Sequence, residues 1–233
     1  MILNKEKTGE KSEVGEVALL SSTYFGPVQW YQKLNRYAAC RLERYDHFVK
    51  QTYRNRCVIA AANGPLSLSI PVERPAEMSA SQCLMKDIRI SNHGNWRHIH
   101  WQALVSSYSE SPFFEYYADD IRPFFEHPYT FLFDFNWEIT RTICTLLDLQ
   151  ANIQLTDEYV QPTTETTDTT GQLGNRQTCS DFRSAIDPKH PQPDFSFEPK
   201  PYYQVYRKKH GFLPNLSILD LLFNEGNEAI LYL

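Results

Sequence analysis

Short apolar runs alternate with longer amphipathic stretches along the first two thirds of the chain, a pattern typical of an α/β fold. The run VALL at residues 17–20 predicts a buried strand, and Gly26 and Pro27 mark the turn that follows it. Residues 28–39 predict a helix, because their apolar side chains recur at helical spacing. In such a strand-turn-helix unit, the loop after the strand often holds a ligand at the start of the helix.

Further strand patterns follow. Residues 40–50 can return to extended structure, and residues 56–61 (RCVIAA) predict a strand. The turn signal Asn63-Gly64-Pro65 precedes residues 66–72 (LSLSIPV), which alternate apolar and small polar side chains. These two segments therefore predict a hairpin, and residues 88–90 predict another short strand. We expect the strands to form a small mixed sheet.

Three amphipathic stretches predict helices that pack on this sheet. The first starts near residue 96, and its inward face is predicted to carry Trp96, Ile99, His100, Ala103, Leu104 and Tyr108. The second starts at Ser111-Pro112, with Phe113, Phe114, Tyr117 and Ile121 inward. The third covers residues 129–149, with the apolar stripe Leu132, Phe135, Ile139, Ile143, Leu146 and Leu147. Residues 153–155 predict a last short strand.

Changes in composition divide the chain into four parts. Residues 1–16 are polar and predict a disordered lead-in, while residues 17–155 form the predicted α/β core. Residues 156–180, rich in Thr and Gly, predict a flexible linker or mobile loop. Residues 181–233 predict a C-terminal arm that wraps the core in extended form and ends in a docked helix at 216–223. Asn215 or Ser217 would cap this helix, and Gly226 lies just past its end.

Composition and charge narrow the function classes. A net charge of -5 and a pI near 5.8 argue against a nucleic-acid-binding protein. The 5 cysteines include no CxxC pair, so we expect reduced thiols and no zinc site made of thiols. The histidines at 93, 98 and 100 lack i, i+4 spacing, so we expect no metal site there either. The start of the chain lacks the features of a signal peptide, and no apolar run is long enough to span a membrane. We therefore expect a cytoplasmic protein; the pattern indicates no particular cofactor.

The segment 44–59 (RYDHFVKQTYRNRCVI) concentrates charged side chains between apolar runs, as binding loops on rigid scaffolds do. Arg54, Asn55 and Arg56 predict a clamp for phosphate or carboxylate, although a basic surface turn has the same pattern. Asp46 falls where a strand is expected to end. It either acts as a general base or binds a sugar hydroxyl or a metal, or it is a solvated or ion-paired acid. Lys50 either binds phosphate or is simply solvated.

The predicted pocket has two other walls. Tyr24 and Gln29, in the first loop and at the start of the first helix, could contact a sugar or base. Trp96 and His100 share a face of the helix that starts near residue 96. His100 is either a hydrogen-bonded core histidine or a group for proton transfer, because the neighbouring tryptophans would keep it partly dry.

These motifs, in this order, resemble the WbqC-like family of bacterial proteins. The resemblance rests on TYFGPVQWYQKL (23–34), Asp46 with RNRCVI (54–59), LSIPV (68–72), the Trp-initiated helix followed by SPFFEYY (96–117), and Phe135-Asn136. Gly26 is an insertion into the family's looser aromatic-proline pattern. GFLPNLSILDLLFNEG (211–226) resembles the longer branch of the family.

The resemblance implies a role in surface-polysaccharide (O-antigen-like) synthesis, with transfer of glycine or another aminoacyl group to a sugar. In that hypothesis Arg54 and Arg56 hold the phosphate or carboxylate of an activated sugar or acyl donor, and Asp46 or His100 takes the proton from the acceptor. The alternative is a non-catalytic module that binds a nucleotide-sugar or a biosynthetic partner protein. The proline-rich arm and the lack of a recognised catalytic set favour that alternative.

Overall fold

The computed structural model describes residues 16–73, 82–161 and 179–233. Nearly all of the predicted lead-in and most of the predicted linker lie outside the described residues, so the proposed division into four parts stays a prediction. Within the described parts of the chain, no helix has both the length and the apolar character needed to cross a membrane.

A parallel sheet of four strands lies at the centre of the fold. It contains β1 (Val17–Ser21), β2 (Ala39–Glu43), β7 (Ile153–Leu155) and β8 (Cys179–Asp181), in the spatial order β7-β2-β1-β8. Helix α1 (Val28–Arg36) connects β1 to β2, which gives the strand-turn-helix opening that the sequence predicts. Because all four strands run in one direction, their carboxyl ends meet at one edge, where α/β sheets hold ligands.

Two antiparallel pairs accompany the central sheet. The strands β3 (Arg56–Ala61) and β4 (Gly64–Ser69) form the predicted hairpin, and β5 (Val72–Glu73) pairs with β6 (Arg89–Ile90). The predicted α/β class is confirmed. Parallel and antiparallel pairs occupy separate sheets, because the hairpin forms within the connection that leaves β2 and does not add to the edge of the central sheet.

The helices of the middle region are α2 (Trp96–Tyr108), α3 (Phe114–Ile121), α4 (Pro123–Glu126) and α5 (Leu132–Leu146). The inward orientation predicted for two residues is wrong, because Ile99 is 55% exposed and Phe113 is 37% exposed. The buried face of α2 is a narrow stripe, and Ile99 falls beside it. Phe113 precedes the first turn of α3 and is not helical, so the spacing that places Phe114, Tyr117 and Ile121 inward does not predict the direction of its side chain.

The C-terminal region returns to the core. After α6 (Arg207–His210), the helix α7 (Ile218–Glu225) is buried over residues 218–224, which confirms the predicted docked helix. Ser217 caps it as predicted, accepting a hydrogen bond from the backbone N–H of Leu219 at 3.3 Å. Strand β8 was missed by the sequence reasoning, because Cys-Ser-Asp has neither alternation nor an apolar run.

Asp220 of α7 holds the C-terminal region by buried hydrogen bonds. Its carboxylate is fully buried and accepts hydrogen bonds from the hydroxyls of Tyr108 (2.8 Å) and Tyr202 (2.6 Å) and from the amide of Gln204 (2.9 Å). Burial raises the pKa of Asp220, although the three donors act in the opposite direction. One carboxylate thereby connects α2, α7 and the extended segment before α6.

Candidate functional site

A cavity of about 500 Å³ lies at the carboxyl edge of the central sheet. We call it the edge cavity. Its wall contains Asp46 from the loop after β2, Arg54 from the loop before β3, and Asp181 and Arg183 from the end of β8. The rim is formed by the other lining residues, which are His47, Val49, Thr52, Tyr159, Ser184, Asp187, His190 and Gln192. The position agrees with the general location of ligand sites in parallel α/β sheets.

A buried ion pair forms the inner wall of the edge cavity. Asp46 Oδ2 contacts Arg54 Nη2, and both side chains are more than nine-tenths buried. The Ser21 hydroxyl, at the end of β1, donates to Asp46 Oδ2 at 3.2 Å and accepts from Arg54 Nη2 at 2.8 Å. Asp46 Oδ1 and Arg54 Nε are buried without a hydrogen-bond partner among the described residues. The pair therefore keeps one unused acceptor and one unused donor.

Asn136 positions the loop that carries Arg54. This amide is fully buried on α5, and its Nδ2 donates to the backbone carbonyl of Arg54 at 2.8 Å and to the Ser22 hydroxyl at 3.4 Å. Asn136 belongs to the Phe135-Asn136 pair that carries the family resemblance, but it is not among the predicted site residues. The available signal was an amide next to Phe135 on the apolar stripe of a helix, where a polar side chain needs a buried partner.

A second charged group lies beside this pair. Arg183 donates to Asp181 through Nη2 (2.6 Å) and Nε (3.0 Å), and to Glu43 Oε2 at 3.3 Å. Glu43 is fully buried and also accepts from the backbone N–H of Val160 at 2.9 Å. Burial acts to lower the pKa of Arg183, but the interactions with Asp181, Tyr159 and Glu43 together outweigh it and raise the pKa. The guanidinium is therefore charged and held in one orientation.

Sequence reasoning missed Arg183, Asp181 and Glu43. Arg183 and Glu43 are 140 residues apart in the chain, and no local spacing links them. Asp181 and Arg183 are at i and i+2, which places them on one side of an extended segment. That spacing was the available local signal.

The rim of the edge cavity also carries polar and ionisable side chains. His47 and His190 are exposed and lie on it, as do Ser184 and Asp187. Asp187 Oδ1 accepts from the backbone N–H of His190 at 2.8 Å, which orders that side of the rim.

The structure separates the residues of the predicted anion clamp. Arg54 lines the edge cavity, whereas Asn55 donates to the backbone carbonyl of Ile70 at 2.9 Å. Arg56 starts β3 and its Nε donates to the Ser69 hydroxyl across the hairpin at 3.0 Å. Arg54 lies in the turn before β3, whereas Arg56 is the first residue of the strand, so the alternation of an extended segment does not bring the two guanidiniums to one face. Lys50 is exposed and does not line the edge cavity.

Tyr24, His100 and Trp96 form a separate buried group. The Tyr24 hydroxyl lies 2.9 Å from His100 Nδ1, and the rings of Trp96 and His100 are 5.2 Å apart. Burial lowers the pKa of His100 to about 4 and raises the pKa of Tyr24 well above its ordinary value. The imidazole is therefore neutral at neutral pH, and in the tautomer that carries its proton on Nε2 it accepts a hydrogen bond from the Tyr24 hydroxyl at Nδ1. The structure does not bring His100 to the edge cavity with Asp46, and Trp96 lines a different groove.

Gln29, at the start of α1, contacts the C-terminal region. Its Nε2 donates to Asp194 Oδ2 at 2.8 Å, and its Oε1 accepts from Asn215 at 2.9 Å. The same Asp194 carboxylate forms a buried ion pair with Lys33 at 2.6 Å. These contacts occupy the polar groups of Gln29 with protein partners.

The described residues contain no cluster of three or more His, Cys, Asp or Glu side chains that could hold a metal ion. The thiol of Cys40 is buried, which raises its pKa to about 12. Burial raises the pKa of Cys57 further still. At neutral pH these two thiols are protonated, and a protonated thiol is a poor nucleophile.

Comparison with known proteins gives three results. A family model described as the WbqC-like protein family matches residues 22–232. An uncharacterised protein of Mycobacterium tuberculosis is 26% identical over 202 residues, which cover 81% of this chain and 85% of the relative. No solved structure gives a significant match.

Proposed function

The chain belongs to the WbqC-like protein family, and from this premise we propose that it is a cytoplasmic transferase of bacterial surface-polysaccharide synthesis. The proposed reaction transfers glycine or another aminoacyl group from an activated donor to a sugar. The observation that carries the proposal is the edge cavity, where two charged guanidiniums and three carboxylates lie together at the carboxyl edge of a parallel sheet.

The mixture of charges indicates the donor class. Arg54 and Arg183 offer positive charge, while Asp46, Asp181 and Asp187 offer negative charge on the same cavity. An aminoacyl donor carries an ammonium group and, in its activated form, a phosphate or a similar anion. Such a ligand has complementary charges for both sets, whereas a purely anionic ligand would be repelled by the three carboxylates.

The volume also fits a small activated metabolite. A cavity of about 500 Å³ lies within the range of roughly 300–1,000 Å³ typical of small-molecule sites. We assign the anion of the donor to Arg54 and Arg183 and its ammonium group to Asp181 and Asp187.

In the proposed step, a hydroxyl or amine of the acceptor sugar attacks the acyl carbon. The new bond to that carbon forms as the bond to the activating group breaks, and the activating group leaves with the electron pair. The Asp46 carboxylate takes the proton of the attacking group, and Arg54 and Arg183 stabilise the charge that develops on the leaving group. His100 has no part in this step, because it is buried against Tyr24.

One observation favours the alternative of a non-catalytic binding module. Asp46 is already paired with Arg54, and taking up a proton would remove the negative charge that holds this guanidinium in place. In that alternative the edge cavity binds an activated sugar or acyl donor and presents it to a biosynthetic partner protein.

The binding step is tested by thermal shift with three probes: UDP-N-acetylglucosamine, a glycyl-sulfamoyl adenosine that mimics an acyl adenylate, and inorganic pyrophosphate. We expect the acyl-adenylate mimic to raise the melting temperature most, because it carries both charges. Arg54→Gln should abolish the shift. Arg56→Gln is the matched control, since this arginine lies on the hairpin outside the edge cavity, and the shift should remain.

Turnover decides between the two functions. Purified protein is incubated with a glycyl donor and candidate acceptor sugars, and the acylated sugar is measured by mass spectrometry. Product formation that is lost in Asp46→Asn, with binding retained, supports the transferase. Binding without turnover, together with capture of a biosynthetic partner, supports the module. Failure of all three probes to bind would contradict both assignments of the edge cavity.

A further inference from the structure

A second cavity, of about 480 Å³, lies between the start of α2 and α4. We call it the outer groove. Among the described residues, none that lines it also lines the edge cavity. The function proposed above makes no use of it, so any ligand it holds is a separate one.

Arg97 supplies a positioned positive charge in the outer groove. Its Nη1 donates to Asn92 Oδ1 at 2.8 Å, and its guanidinium lies 4.6 Å from the centre of the Trp96 ring. Both contacts fix its orientation. Its Nε and Nη2 atoms are buried without a partner among the described residues. A guanidinium with two unpartnered donors is stabilised by binding a carboxylate or phosphate, because both donors then form hydrogen bonds to the same group.

Two tryptophans supply aromatic surface next to this charge. Trp96 is buried beneath the guanidinium of Arg97, and Trp101 is half-buried along the same wall. The Trp101 ring packs against Phe125 with 5.8 Å between the centroids, so the surrounding core holds it in place. A rigid indole is a good contact for the apolar face of a sugar ring.

The remaining lining groups favour a ligand with hydroxyls. Asn95 and Gln102 are exposed amides on the wall of the outer groove. Glu126 also lines it and accepts from Arg122 Nε at 2.5 Å, which leaves other carboxylate lone pairs available. The amides and the carboxylate can bind the hydroxyls of a sugar, the indole its ring, and the guanidinium an acidic group. This combination matches an acidic sugar better than a nucleobase.

We propose that the outer groove binds a carbohydrate that carries an acidic group. The carboxylate or phosphate meets Arg97, the ring packs on Trp101, and the hydroxyls meet Asn95, Gln102 and Glu126. This assignment is independent of the transferase proposal, because it depends on a different set of residues.

The test uses isothermal titration of the full chain with matched probes. Tri-galacturonic acid carries carboxylates on sugar rings, and its methyl ester keeps the rings but removes the charge. We expect the acid to bind and the ester to bind at least about tenfold more weakly, as expected for the loss of a charged hydrogen bond. Glucose 1-phosphate shows whether phosphate serves as well as carboxylate, and uridine monophosphate tests the nucleotide alternative.

Variants connect any binding to the outer groove. Arg97→Gln should weaken binding of the acid by roughly tenfold to a hundredfold and remove the difference between acid and ester. Arg141→Gln, an exposed arginine on α5, is the control and should leave binding unchanged. Trp101→Phe should weaken both sugars and serves as a second variant if Arg97→Gln does not fold. Absence of binding by both acidic sugars, equal binding of acid and ester, unchanged binding in Arg97→Gln, or preference for the nucleotide would each overturn the proposal.

Discussion

The buried pair of Tyr24 and His100 makes the stability of the fold depend on pH in a defined direction. His100 is 4% exposed, and its Nδ1 faces the Tyr24 hydroxyl at 2.9 Å. Protonation would turn Nδ1 from an acceptor into a donor and would place a positive charge in an aromatic core. Burial therefore lowers the pKa of His100 to about 4 in the folded protein.

The size of the effect follows from the two pKa values. An unfolded histidine has a pKa of 6.5, so folding lowers it from 6.5 to about 4. A difference of roughly 2.5 pH units corresponds to about 3 kcal/mol. Because the folded pKa is depressed, the unfolded state binds more protons between these values, and the free energy of unfolding falls as the pH falls. The contribution is fully present above pH 6.5 and is lost progressively toward pH 4.

Urea denaturation at a series of pH values from 7.5 to 4.5 measures this effect. The wild type should lose stability over this range by about 2–3 kcal/mol more than His100→Asn, which keeps an acceptor near the Nδ1 position but does not titrate. The cost of the smaller side chain is the same at every pH, so it cancels from the comparison. His98→Asn, at an exposed position on the same helix, is the control and should follow the wild type. Parallel curves for wild type and His100→Asn would refute the reasoning.

Three further predictions follow from other contacts. Arg54→Gln should abolish the thermal shift given by the acyl-adenylate mimic while Arg56→Gln retains it; equal effects would place the anion site elsewhere. Gly226→Ala should lower the free energy of unfolding by at least about 2 kcal/mol, because a Cβ there would lie 2.7 Å from the Phe113 ring and φ is 57°. An unchanged urea midpoint would contradict that contact. Asp220→Ala should cost about 2–6 kcal/mol by leaving two buried tyrosine hydroxyls without their acceptor, and a loss below about 1 kcal/mol would show that the hydroxyls find other partners.

Local pattern was enough to find most of the regular elements. The hairpin strand at Arg56–Ala61 and the capped helix α7 were predicted closely, because apolar periodicity, turn residues and caps act within a few positions. The helix predicted over residues 129–149 is α5, which begins at Leu132 and ends at Leu146, within the predicted range. The sequence predicts the presence of an element better than its first and last residues, because packing against neighbours decides where the last turn is stable.

Strand β8 shows where local pattern fails. Cys179–Asp181 pairs with β1, and β1 lies far away in the chain. Its short sequence contains no strand signal, so the existing sheet edge, and not its own propensity, makes it a strand. The pairing of β8 with β1 also brings Arg183 to the edge cavity, a position that no sequence motif predicts.

The sequence by itself determined the α/β class, the order of most elements and the family, and it predicted a site in the segment that contains Asp46 and Arg54. Only the tertiary structure decided that Arg54 pairs with Asp46 while Arg56 faces the hairpin, and that His100 is buried with Tyr24 away from the edge cavity. The physical reason is that side-chain periodicity is a local property, whereas burial, ion pairing and the shape of a cavity depend on segments that meet only after folding.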